Sequence, residues 1–139
     1  MILTLHVLFA GLWLGCVVTE VLFERALLHR GRETERLLAR LHLRVDLWVE
    51  LPVMAGAAIT GVLLWGGAGS PWLYAKMGLG ALAVLANLVC ATFVFRRAAA
   101  AKADAWESFG TADAWQHKSG AVVLVALVAA LAIGIGQRL

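Results

Sequence analysis

Charge is scarce in this chain. Only 15% of its 139 residues are Asp, Glu, Lys or Arg, against about 25% in soluble domains. That shortage excludes an ordinary soluble enzyme and a disordered chain. The formal net charge of +3 is too small to imply a polyanionic ligand, so no nucleic-acid partner is expected. Cysteine is nearly absent as well. Cys16 and Cys90 both sit inside apolar runs, which excludes a disulfide framework and leaves two buried thiols. Three methionines offer no thioether cluster for copper(I).

What the chain has is apolar length. Hydrophobic residues make up 62% of it, arranged in four runs long enough to cross a bilayer, which needs about 20 residues each. The runs are Ile2–Phe23, Val45–Trp65, Trp72–Phe95 and a fourth ending near Ile135. They predict an all-α, polytopic membrane four-helix bundle forming a single domain over residues 1–139. Its helices are expected at about 2–25, 40–65, 72–97 and 112–136. Lipid demands internally satisfied backbones, and runs this long are helices rather than barrel strands. The first run is too long and too weakly basic for a signal peptide, so it reads as a retained helix.

Ten of the twelve basic residues lie in two polar connections, Arg25–Arg44 and Arg96–Lys118. The turn Gly66–Pro71 has none, and only Lys76 and Arg138 lie at its end of the bundle. The positive-inside rule then puts both connections in the cytoplasm and both termini outside. A multi-pass protein of a bacterial-type inner (cell) membrane follows, with the lipid bilayer as its partner. Within the third connection, Ala98–Phe109 reads as an interfacial helix stopped by Gly110. Gly11 and Gly15 form a small-xxx-small pair, suited to close packing in the bundle or to a homo-oligomer contact. His29, in the arginine-rich connection, reads as solvated.

Four of the nine acids are where a membrane disfavours them. Glu20, Glu24, Asp46 and Glu50 lie in or at the edge of apolar runs, where an ionisable group costs several kcal/mol unless paired. Glu20 and Glu24 are four apart, as are His42, Asp46 and Glu50, so each set lines one helical face. The first two helices are antiparallel, which brings these sets level. His117 and Asn87 belong to the same half of the bundle. Four carboxylates and two imidazoles match the ligand count of carboxylate-bridged di-metal sites in four-helix bundles, although the Glu-x-x-His motif is absent. Such donors suit a transition metal ion such as Fe, Mn or Zn. Two other readings stay open: salt bridges to Arg25, Arg40 and Arg44, and a proton or ion pathway. Either a membrane oxidoreductase or a transport or accessory subunit is compatible with this inventory.

A smaller constellation lies at the opposite end. His6, Trp13 and Glu20 share one stripe of the first helix, and Lys76 opens the third near Trp65, Trp72 and Tyr74. An aromatic belt with a snorkelling lysine explains these residues; a haem or anion site is the alternative.

At these positions the chain resembles a known group. Leu5-His6 followed by Trp13, Pro52 followed by Gly61, and Trp72-Leu73-Tyr74-Ala75-Lys76 resemble the small membrane protoporphyrinogen oxidases of the HemJ type. The first helix is also similar to that of the copper-resistance D family. The likeness implies a four-helix bundle and a haem- or porphyrin-binding oxidoreductase. His6 and Lys76 would then serve as cofactor-binding residues, with haem b as the cofactor. Where that group carries a Pro-Arg pair in the first helix, this chain has Val17-Val18-Thr19-Glu20-Val21-Leu22-Phe23-Glu24. The acids are therefore its own feature.

Overall fold

The computed structural model describes residues 1–27, 29–67 and 69–136; Arg138 lies outside them. The described chain is all-α, and four helical rods in it are long and apolar enough to cross a membrane. The first is α1, Ile2–Leu27. The second is continuous over Arg32–Leu63 and consists of α2 (Arg32–Val45), a π-helical turn (Asp46–Glu50) and α3 (Leu51–Leu63). The third and fourth are α4, Pro71–Lys102, and α5, Trp106–Gly136. Ser70 starts α4, its side-chain oxygen accepting the Leu73 N–H, with Pro71 fixed in the first turn.

Helix α1 packs chiefly on α3, and α4 on α5 along its length, while α2 lies on α4. The α1–α3 approach is close at Gly56, where a Cβ would sit 2.9 Å from the Phe9 ring. The main core joins Trp13 and Val17 to Met54, Ala57, Ala83, Val123, Ala126 and Leu127. Gly11 and Gly15 take no part in it, because a Cβ at either would meet nothing within 4 Å. Close packing inside the bundle is therefore not what these two glycines serve.

The two charged connections are mostly helix, which corrects the expected boundaries. Residues Arg32–Arg44 belong to α2, and the turn before it uses Gly31 at φ 104°, where a side chain would be strained. Charge suggests loop there, yet Leu38, Ala39 and His42 recur on one buried face, the stripe of an amphipathic helix. Nor is Ala98–Phe109 a separate interfacial helix. Its first half completes α4 and its second half begins α5, with only Ala103–Ala105 between them. Alanine carries the highest helix propensity, so nothing in Ala98–Ala101 ends α4. A second core forms beyond the apolar zone, from Ala39, Ala100, Ala101 and Phe109 under Trp106. Arg36 fastens its edge, paired with Glu33 and Asp104 and stacked over the Trp106 ring.

These lengths place the site. A 32-residue helix is about 48 Å long, roughly 18 Å more than a hydrocarbon core of about 30 Å. The surplus lies at the charged end. Counted from the opposite end, about 20 residues of each rod are enough to cross the hydrocarbon. Glu20, Asp46 and Glu50 fall inside that stretch, Glu24, His42 and Gln116 lie just past its charged end, and Arg97 reaches back to them from further along α4.

Candidate metal centre

Helix α1 supplies Glu20 and Glu24 one turn apart, and the second rod supplies His42, Asp46 and Glu50. All five are buried. The π turn is what aims the last two. Pro52 has no N–H for the carbonyl four residues back, and its ring crowds that carbonyl. The helix answers by widening, and the Leu51 N–H bonds to Asp46 O, five residues back. Such single turns mark functional positions in many helices.

The cluster has two halves, joined by one imidazole. At the boundary, Glu24 is held by Arg97, whose side chain is 1% exposed. Arg97 Nη1 donates to Glu24 Oε1 at 2.5 Å and Nη2 donates to Oε2 at 3.1 Å. Its Nε stands 3.0 Å from Asp113 Oδ1, an ion pair whose angle is not that of a hydrogen bond. Gln116 accepts from Arg97 at 3.3 Å and donates to Glu24 at 3.4 Å, and Phe109 lies under the guanidinium. This half has a fixed cation of its own and is mostly hydrogen-bonded.

The deeper half is not balanced. Glu50 accepts one hydrogen bond, from Trp13 Nε1 at 3.3 Å, and Glu20 accepts a weak one from the Cys16 thiol at 3.8 Å. Asp46 Oδ1 is buried with no hydrogen-bond partner. Among the described residues no lysine or arginine pairs with Glu20, Asp46 or Glu50; only His42 does, with the first two. Three carboxyl groups crowded in low dielectric, with one imidazole as their basic partner among the described residues, cost several kcal/mol unless they share protons or hold a cation.

His42 faces both halves. Its Nδ1 donates to Glu24 Oε1 at 2.6 Å. Because a carboxylate only accepts, the proton of a neutral ring sits on Nδ1, and Nε2 keeps its lone pair. That nitrogen stands 3.4 Å from Glu20 Oε2 and 3.4 Å from Asp46 Oδ1. A carboxylate that orients a histidine so that its other nitrogen faces oxygen donors is the usual support of a metal-ligating imidazole. Two overlapping triads result, Glu20–His42–Asp46 and Cys16–Glu20–Glu50, with the ligand atoms of each mutually within 4.8 Å. Glu20 belongs to both. Beside them lies a cavity of ≈ 250 Å³, lined by these acids, His42, Asn87 and residues of α1, α4 and α5.

His117 is not joined to the deeper acids. It stands at the cavity mouth with its side chain 41% exposed, donating from Nδ1 to Asp113 O and 4.0 Å from Glu24. With Glu24 and Asp113 it makes a third possible donor triad, one already compensated by Arg97. Arg25, Arg40 and Arg44 are exposed, and among the described residues none pairs with these acids. The cation that does pair is Arg97, whose place in the second basic connection suggests only a topology charge. No local signal separates it from its exposed neighbour Arg96, which precedes the same alanine run.

At the far end, His6 is half-buried and donates from Nδ1 to Ala57 O at 3.1 Å, with Thr60 Oγ1 also at 3.1 Å. Lys76, on α4, runs over Gly134 of α5, where a Cβ would come 3.1 Å from its Nζ. His6 is thus seated between α1 and α3, and Lys76 between α4 and α5. His29 is exposed, as expected. Compared with protein-family models, curated proteins and solved structures, the chain matches none of them.

Proposed function

We propose that this chain is a multi-pass membrane metalloprotein that holds one or two first-row transition metal ions among Glu20, His42, Asp46 and Glu50. The observation that carries it is Asp46 Oδ1, buried without a hydrogen-bond partner and 3.4 Å from His42 Nε2. A divalent cation there satisfies that oxygen and offsets the charge of three carboxylates. Oxygen donors with one imidazole suit iron, manganese or zinc. Glu20, shared by both triads, is the carboxylate placed to bridge if two ions bind. Glu24 and Arg97 act behind the site, fixing the ring of His42. With iron or manganese bound, the centre supports redox chemistry on a lipophilic substrate. The basic connections support a reading in which this half of the bundle faces the cytoplasm of a bacterial-type inner membrane.

Elemental analysis of protein purified without chelator is the test. Stoichiometric iron, manganese or zinc, lost in Asp46→Asn and Glu50→Ala, is expected. No metal above trace would leave the cluster as a network of shared protons centred on His42.

A second reading, haem or porphyrin binding, rests on the resemblance and on His6, whose Nδ1 bond to a backbone carbonyl leaves Nε2 available to a ligand. A Soret band lost in His6→Ala supports it; a colourless protein that takes up no added haem removes it.

A further inference from the structure

The cavity beside the acids has an opening on its side. It extends along the seam between the first and last rods, from Glu24 opposite His117 to Val17 opposite Leu124. These two rods touch each other far less than α4 and α5 do. The outer edge of the cavity is apolar and incompletely covered: Ala121 is exposed, and Val21, Gly120 and Leu124 are half-buried. Ala121 and Leu124 lie within the last 20 or so residues of α5, the stretch that spans the hydrocarbon. The inner wall is polar, carrying Glu20, Asp46 and Glu50 with His42 and Asn87, while Arg25 and His117 stand at its charged end.

We infer that this cleft admits, sideways from the bilayer, a lipid-soluble molecule whose neutral, hydroxyl-bearing head reaches the acids. Size limits the head. At ≈ 250 Å³ the cavity falls below the roughly 300–1,000 Å³ of pockets that enclose a drug-sized ligand. It takes a head, while an apolar tail stays in the seam among acyl chains. Chemistry selects the head. At the deep end three carboxylates face a single imidazole, which disfavours the phosphate of an anionic lipid there, and Arg25 lies apart at the exposed, charged end of the cavity. The choice of a neutral head over a cationic one rests on the metal reading, because a bound ion would repel an ammonium while a hydroxyl still donates to carboxylate oxygen.

Cys90 lines the same cleft and can report on it. Cys16→Ser protein in phosphatidylcholine vesicles is labelled with N-dodecylmaleimide or with a charged, sulfonated maleimide, with metal content measured on the same preparation. The dodecyl reagent is expected to label Cys90 and the sulfonated one is not. Decylresorcinol should slow that labelling by about tenfold, a factor set by about 1.4 kcal/mol of occupancy, and decyltrimethylammonium should not. Ala121→Trp, which fills the seam without touching a ligand, should abolish labelling and leave the metal in place. Equal labelling by the sulfonated reagent overturns lateral entry, as does labelling by neither. Metal present with no protection by decylresorcinol overturns the neutral head alone. Protection by the ammonium from metal-free protein overturns it together with the metal reading.

Discussion

Arg97 of α4 grips Glu24 of α1 with both terminal guanidinium nitrogens, across the charged boundary of the bundle. The grip ties the first helix to the third, although these two rods share little packing surface. It also determines which way His42 faces, since Glu24 Oε1 accepts from Arg97 and from His42 Nδ1 together. Planar bidentate pairing needs the fork of an arginine. The pair therefore does structural work at one end and orients a candidate ligand at the other.

Removing Arg97 should cost more than removing both partners. Arg97→Ala leaves Glu24 and Asp113 without their cation, and breaking such a buried pair costs about 3–5 kcal/mol. The melting temperature in detergent should fall sharply, and Arg97→Lys should recover only part of the loss. Adding Glu24→Gln to Arg97→Ala should restore stability toward the parent value. Equal melting temperatures for the single and double variants would mean that the pair is not the source of the effect.

Pro52→Ala should separate stability from the site. An alanine N–H can close the ordinary bond to Trp48 O, so the π turn loses its cause and Asp46–Glu50 rewinds. Unfolding should occur at the same or a higher temperature, since alanine is about 3 kcal/mol better than proline in a helix interior. Metal content should drop. Full metal content in this variant would show that the widened turn is not needed to aim Asp46 and Glu50.

Asp46→Asn should invert the usual cost of a core change. Without added metal the variant should melt above the parent, because a buried acid with no lysine or arginine beside it and no hydrogen bond to its Oδ1 has been made neutral. With metal the order reverses: an ion at a hundredfold excess over its Kd stabilises the parent by about 2.7 kcal/mol, and the variant gains little. Thermal shift with manganese, iron(II) or zinc measures both. Identical shifts in the two proteins would place the ion elsewhere.

Topology is open to direct labelling. Single cysteines near His29 and at Asp104 should react from the cytoplasmic side only, and one at Gly67 from the outer side only. The opposite pattern would put the acids toward the outside and reverse the orientation drawn from the basic residues.

The sequence by itself determined the class, the four apolar rods and the depth of the acids, because these depend on local composition and on helical spacing. Residues four apart share a face wherever a helix forms, so the alignment of Glu20 with Glu24 and of His42 with Asp46 was legible. The boundaries were less so. Charge suggests a polar connection at Arg32–Arg44 and a separate interfacial helix at Ala98–Phe109, where a buried stripe of Leu38, Ala39, Ala100 and Ala101 extends the long rods instead. Only the tertiary structure decided which charges meet. Arg97 and Glu24 are 73 residues apart, and nothing local to either distinguishes that arginine from its exposed neighbour Arg96. Which cation reaches a buried carboxylate depends on the rotation of each rod about its axis. That rotation is set by packing across the bundle, at Gly56 against Phe9 and around Trp13. The same packing left Asp46 Oδ1 without a partner, and that bare oxygen is what turned a row of misplaced acids into a candidate metal centre.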